Sequence, residues 1–270
     1  MKNSIPFYKM VASGNDFVVV DNRRGVITDA IAFTRKVCQP HQGAGADGVL
    51  LFESSKKANF KMRIINCDGS EAAACGNGFR CIALYAHEIL KYSSRMQFES
   101  GSGLIEGEVR QGGQVKVQLV KPKIFEMDGT LEIKGNRMSF AFLDTGVPHT
   151  VIFVENLDKV DVFELGKAIR NHPHFQPFGT NVNFVKVRSK KEIAVRTYER
   201  GVENETLACG TGSTASAVMS VLKGHVEAPV NVVTRSGEKL KIDIRKKGAE
   251  VANVFLEGKA QFVYKGEYFL

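Results

Sequence analysis

No apolar run in this chain of 270 residues approaches the roughly 20 needed to cross a bilayer. The stretch Met1 to Val11 carries only scattered apolar residues, so neither a membrane span nor a signal peptide is expected, and the expected location is cytoplasmic. Cysteine is scarce as well: there are five, an odd number, with no CxxC pair. That spacing argues against a disulfide framework and against a structural zinc site, and it fits reduced thiols. In such a setting a cysteine is by default a small buried hydrophobe, which is the reading for Cys38, Cys67 and Cys81. His41, His172 and His174 share no ligand spacing, so no metal is expected.

What is present reads as a globular protein, 43% hydrophobic and 24% charged, long enough for one large domain or two ordinary ones. The net charge is +8, which raises the question of nucleic acid. The basic residues fall in short clusters, Lys56-Lys57, Arg188 to Lys191 and Arg245 to Lys247, between apolar segments. With no basic helix and no aromatic-interleaved patch, they read as solvated turns with a general attraction for acidic small molecules.

Strand patterns dominate. Asp16 to Asp21 is β-branched, and Asn59 to Ile65 alternates apolar with basic residues. Val115, Val117 and Leu119 follow a Gly112-Gly113 turn, and Val230 to Thr234 is joined through Ser236-Gly237 to Leu240, Ile242 and Ile244; both read as hairpins. Helical spacing is expected over Thr28 to Cys38, over Asp161 to Asn171, after Cys75, and after Cys209 as far as Gly224.

The last two helices open alike. Ala74-Cys75-Gly76-Asn77-Gly78 and Ala208-Cys209-Gly210-Thr211-Gly212 share the pattern A-C-G-x-G, almost half the chain apart, with Ala83 and Ala217 at the same distance beyond. This argues for duplication. The expected architecture is α+β, in two pseudo-symmetric domains, each a mostly antiparallel, barrel-like sheet around a central helix. The first domain comprises residues 1–121 plus 258–270 and carries Cys75; the second, residues 122–257, carries Cys209.

A cysteine just before a helix, followed by glycines, has a chemical meaning. The first-turn N–H groups lack partners and carry partial positive charge. Glycines leave them open to a carboxylate or phosphate, and the same field favours thiolate over thiol. Were the two halves to face one another across a cleft, two helix ends would hold one α-carboxylate, with a thiol on each face of the neighbouring Cα. That arrangement suits removal of a proton from one face and its return to the other, with the developing negative charge stabilised by the helix ends. No pyridoxal lysine motif is present, and no cofactor is expected. A non-catalytic amino-acid or anion-binding protein would carry the same two motifs.

These residues resemble the diaminopimelate epimerases, in the fold shared with proline racemases. The resemblance runs through Asn66-Cys67-Asp68-Gly69-Ser70 to Cys75 and Cys81, and from Arg196 through Arg200 to Gly212. It also covers Ser13 to Phe17, Gly43 to Gly48, Gly146 to His149 and Gly179 to Phe184, in the family's order over nearly the whole chain. It implies an isomerase that converts LL- to meso-diaminopimelate for lysine and cell-wall synthesis, with Cys75 and Cys209 as the catalytic thiolate and thiol. It further implies that the N–H groups of Gly76, Asn77, Gly210 and Thr211 hold the reacting carboxylate, and that Asn15 and Glu199 bind the reacting amino group. Asn66, Asn181 and Arg200 are implied to hold the far end, and His149 and Glu199 to assist proton transfer. The implied partner is the amino-acid substrate, with nucleic acid and membranes excluded and a homodimer allowed. One position departs: many members carry Asn where Val147 stands, which removes one side-chain hydrogen bond to the far carboxylate, roughly 0.5–1.5 kcal/mol. That departure leaves open a racemase of another amino acid on the same scaffold.

Overall fold

The computed structural model describes residues 4–248 and 250–270. The chain forms two compact units, residues 1–118 with 258–270, and residues 119–257. The architecture is mixed α+β and dominated by strands.

In the first unit the last strand, Gln261–Phe269, pairs antiparallel with Ser4–Ala12, which pairs with Asn15–Asp21. Asn15–Asp21 then runs parallel to Gly48–Glu53, and Gly48–Glu53 antiparallel to Phe60–Asn66. A second parallel contact joins Phe60–Asn66 to Arg95–Ser100, and the hairpin strands Gly103–Val109 and Gln114–Leu119 complete the ladder. Parallel neighbours need a crossover, and each of the two is bridged by a helix. Helix α1, Ala30–Val37, spans the first, and α2, Gly76–Glu88, lies within the second.

The second unit repeats this plan. Lys123–Ile133, Asn136–Asp144 and Pro148–Phe153 pair antiparallel in succession, and Pro148–Phe153 runs parallel to Asn181–Ser189. Asn181–Ser189 pairs antiparallel with Glu192–Glu199, which runs parallel to Val230–Val233; Lys239–Lys247 and Glu250–Lys259 follow. Helix α3, Val162–Arg170, bridges the first parallel pair and α4, Gly210–Leu222, the second. Among the described residues each unit therefore has two α-helices and two crossovers beside its antiparallel ladder.

The two helices of a unit play different parts. Helices α1 and α3 are amphipathic: α1 buries Phe33 and Val37 and α3 buries Val162 and Ile169, with N-caps from Asp29 and Asp161. Such helices cover the outer face of a sheet. Helices α2 and α4 are enclosed. Every residue from Asn77 to Ala86, and from Gly212 to Val221, is buried. Strands from both ends of the first ladder, Ser4–Ala12 and Gly103–Val109, touch α2, so the sheet curls around it.

Helix α4 carries hydroxyls where an apolar surface would be expected. Thr214, Ser216 and Ser220 donate to the carbonyls of Gly210, Gly212 and Ser216 at 2.7–2.8 Å. Bonding back one turn satisfies the hydroxyls locally, so they enter the core without stranding a polar group.

Candidate active site

The two A-C-G-x-G motifs fold into the same local structure. Cys75 and Cys209 are both N-cap residues with extended backbone, and each opens a helix of 13 residues. In each the thiol sulfur takes the part normally played by a serine or aspartate oxygen. The Gly78 N–H donates to Cys75 Sγ at 3.4 Å, and the Gly212 N–H to Cys209 Sγ at 3.3 Å. The N–H groups of Gly76 and Asn77, and of Gly210 and Thr211, have no acceptor within their helix by the geometry of a first turn. Each sulfur thus sits in the positive field of a helix N-terminus, beside two donors available to an anion.

The other cysteines differ. Cys38 and Cys81 are buried, and loss of hydration pushes each thiol up to about 12. They stay protonated at neutral pH. Cys67 departs from the expectation of a buried filler: it is exposed in the turn after Phe60–Asn66. A turn built by Asp68, which accepts from both the N–H and the hydroxyl of Ser70, lifts it out of the sheet.

Around Cys75 the first unit assembles a polar cluster. Asn15 Oδ1 is 3.7 Å from Cys75 Sγ and accepts from Asn77 Nδ2 at 3.5 Å. Asn15 Nδ2 donates to Asp47 at 2.6 Å, and the carboxylates of Asp47 and Asp16 each accept the other residue's backbone N–H. Arg80, fully buried on α2, donates to Ser13 Oγ at 2.6 Å, Asn77 Oδ1 at 2.8 Å and the Gly76 carbonyl at 3.2 Å. A buried guanidinium thereby ties the Ser13-Gly14-Asn15 turn to the mouth of the helix. Asn66 is half-buried at the end of its strand, and its amide donates to Ser70 Oγ at 3.0 Å.

The second unit carries the remaining expected residues. Thr211 Oγ1 lies 3.4 Å from Cys209 Sγ, and the Thr211 carbonyl accepts from Thr145 Oγ1 at 3.3 Å. Asn181 Oδ1 accepts the Arg200 backbone N–H at 2.9 Å while its amide donates to the Pro148 carbonyl. Arg200 is half-buried, and Nη1 donates to the Phe178 carbonyl at 2.8 Å. Glu199 ends the strand Glu192–Glu199, with its carbonyl bonded to the Glu203 N–H. His149 is completely buried; loss of hydration first, and then the Arg200 charge, push its pKa down to about 3.

Val147 and Arg200 share the wall of a cavity of about 440 Å³, together with Phe125, Phe142, His174 and Phe178. Among the described residues no group of three or more His, Cys, Asp or Glu is arranged to hold a metal ion, and no helix is long and apolar enough to cross a membrane. Residues the motifs did not single out are Ser13, Asp47, Arg80, Asn183 and Thr197. Arg80 had a signal: a cation in the otherwise apolar run from Phe79 to Ala86.

The chain is similar to known proteins over its whole length. The family model described as "Diaminopimelate epimerase" matches residues 7–125 and 141–263. A diaminopimelate epimerase of Aquifex aeolicus is 48% identical, over 96% of either chain. Those of Archaeoglobus fulgidus and Chlorobaculum tepidum are 41% and 40% identical, over 97% and 95% of this chain and 95% and 98% of theirs. Among solved structures, a Bacillus anthracis phenazine biosynthesis protein of the PhzF family superposes with a TM-score of 0.75 at 15% identity, covering 99% of this chain and 100% of that one. A hydroxyproline epimerase from Agrobacterium vitis does so at 0.73 and 15% identity, covering 100% and 94%. At that identity the likeness is one of fold.

Proposed function

The chain belongs to the diaminopimelate epimerase family, and on that premise we propose that it interconverts LL- and meso-diaminopimelate with Cys75 and Cys209 as the acid–base pair. The observation that carries the reading is the matched capping: two cysteines, each receiving a glycine N–H at the head of a 13-residue helix. A lone capped cysteine fits many roles; two in the same setting fit a reaction that needs a base and an acid of one chemical kind.

In the forward direction one thiolate takes the Cα proton and the other thiol delivers a proton to the opposite face, and the roles exchange in reverse. Electrons left on Cα spread into the substrate carboxylate. The open N–H groups of Gly76, Asn77, Gly210 and Thr211 then stabilise that growing charge, the role oriented amides play best away from water. Thiol chemistry suits this step because a sulfur beside a helix N-terminus is readily held as thiolate. The amides of Asn15, Asn66 and Asn181 and the carboxylate of Glu199 serve as substrate contacts, Asn15 through the oxygen that already faces Cys75. Arg200 offers a planar fork for the distal carboxylate.

Val147 places an apolar group on the cavity wall shared with Arg200, where an asparagine would offer a hydrogen bond. Recognition of the far end then rests on Arg200 with Asn66 and Asn181.

The test is proton exchange at Cα. Protein incubated with LL-diaminopimelate in D2O without pyridoxal phosphate is expected to yield deuterated meso isomer, by NMR and chiral chromatography. Cys75→Ser and Cys209→Ser are each expected to lose several orders of magnitude in kcat, because a hydroxyl is a much poorer base at neutral pH. Near-normal turnover in either variant refutes the two-thiol scheme.

A further inference from the structure

The ring of His149 has two nitrogens in different surroundings, and its neighbours settle which one carries the proton. Nδ1 lies 3.1 Å from Asn183 Nδ2, and the same Nδ2 is 3.0 Å from the Thr150 carbonyl. A backbone carbonyl only accepts, so the amide of Asn183 has to present its NH2 group on this side. Its oxygen, on the other side, accepts from Thr197 Oγ1 at 3.0 Å. One N–H of Asn183 thus goes to Thr150 and the other points at His149, which leaves Nδ1 as acceptor and puts the ring proton on Nε2. Nε2 is buried and has no hydrogen-bond partner among the described residues.

A buried donor left unmatched is rare in a folded protein. The residues linked to this one are those that the family resemblance assigns to substrate binding. His149 is paired in register with Asn181, whose side chain holds the Arg200 backbone, and the guanidinium of Arg200 is the charge that acts on the ring. Asn183 and Thr197 also pack against Gly212, whose N–H donates to Cys209 Sγ.

We propose that Asn183, fixed by Thr150 and Thr197, is a positioning residue that locks His149 as the neutral Nε2–H tautomer, so that the ring presents a hydrogen-bond donor to a carboxylate oxygen of the bound amino acid. His149 then serves as a fixed neutral donor, in place of the proton-carrying role expected from the family resemblance. Protonation of Nδ1 would drive an N–H against the NH2 of Asn183, and burial opposes the charge as well. The carboxylate acceptor rests on the amino-acid substrate proposed above; the tautomer rests on the protein alone.

The experiment uses full-length protein labelled with 15N-histidine and two-bond 1H–15N correlation spectra, with His149 assigned by its loss in His149→Gln. Between about pH 5.5 and pH 8 the ring is expected to show one unchanging neutral pattern with the proton on Nε2. Titration in that range, or a proton on Nδ1, overturns the proposal. Asn183→Asp replaces the donor with an acceptor, so the proton is expected to move to Nδ1 and the ring to titrate near neutrality. The variant's kcat/KM should then fall as pH rises through the new ionisation, a limb that mere loss of stability does not produce. An unchanged ring in Asn183→Asp removes the positioning role, and should that variant fail to fold, the wild-type titration decides. Saturating diaminopimelate is expected to shift the Nε2 proton downfield; no shift overturns the substrate contact. Should the protein show no epimerase activity while the wild-type tautomer and the ring titration of Asn183→Asp behave as stated, the functional reading fails and the locked ring stands.

Discussion

Gly212 lies so close to Asn183 that a β-carbon on it would run into Asn183 Oδ1 and come within 3.2 Å of Thr197 Oγ1. Asn183 cannot swing aside, because its amide is committed to Thr150, His149 and Thr197. At the equivalent Gly78 the closest neighbours are Leu50 Cδ2 and Met62 Cε at 3.2 Å, ends of flexible side chains. Gly212→Ala is therefore expected to destabilise by about 1–3 kcal/mol through overpacking and to lower kcat as Cys209 shifts. Gly78→Ala should stay within about 1 kcal/mol of the parent, since the helix propensity of alanine offsets a small repacking. Urea unfolding of both variants beside kcat measurements checks this; equal losses would mean that the two caps are packed alike.

Arg80 supplies a second expectation. Arg80→Met keeps the length of the side chain and removes the donors to Ser13, Asn77 and Gly76. The Asn77 oxygen and the Gly76 carbonyl then lose a buried donor, at about 1–3 kcal/mol each where water cannot reach. The Ser13–Asn15 turn should loosen, raising KM as well as lowering the urea midpoint. A variant with parental KM would show that the turn holds Asn15 without the guanidinium.

The depressed pKa of His149 gives stability a definite pH dependence. The folded ring takes its proton only near pH 3, whereas the unfolded ring takes it near 6.5. Above about 6.5 both states are neutral there and the group contributes no slope. As pH falls from 6.5 towards 3 the unfolded state binds one more proton than the folded state, so stability is lost at up to about 1.4 kcal/mol per pH unit. His149→Gln should flatten that part of the urea-stability profile, whatever its effect on stability at pH 8. A profile with the same slope in both proteins would place the acid sensitivity elsewhere.

At the far end of the substrate the expectations are opposite in sign. Arg200→Ala removes the fork and should raise KM for LL-diaminopimelate strongly, by 2–5 kcal/mol if the contact is desolvated, about 30-fold or more. Val147→Asn should lower KM about 2- to 10-fold, the worth of one restored hydrogen bond. Steady-state kinetics on the two variants reads both. An unchanged kcat/KM in Arg200→Ala would sink the diaminopimelate assignment and favour a substrate with no distal carboxylate.

Helices α2 and α4 were legible in the sequence because glycine, capping residue and apolar spacing coincide at Cys75 and Cys209. The two hairpins were legible because a glycine turn separates alternating strands. The strand Gly48–Glu53 was not, since GVLLF is buried throughout and has no alternation to mark it; nor was Ser4–Ala12, one of whose two partners lies at the other end of the sequence, although the return of residues 258–270 to the first domain was expected. The amphipathic helices α1 and α3 showed their spacing, but only the parallel strand pairs explain why each unit carries one. Asn183 and Thr197 escaped notice for a different reason. They act through a chain of hydrogen bonds that no spacing rule encodes, whereas Cys75 and Cys209 announce themselves by repetition. Arg80 was visible as an anomaly, a cation in an apolar helix, but its partner Ser13 was not.

The strand Gln261–Phe269 belongs to the ladder that begins at Ser4, yet it follows the whole of the second unit along the chain. A ribosome delivers the first unit early and its last strand late. Until then Ser4–Ala12 waits with one edge unpaired, an open template for pairing with other chains. The second unit, contiguous in sequence, is under no such delay. The order of synthesis and the order of completion are thus reversed, and a chain cut short before Gln261 would leave its oldest strand exposed.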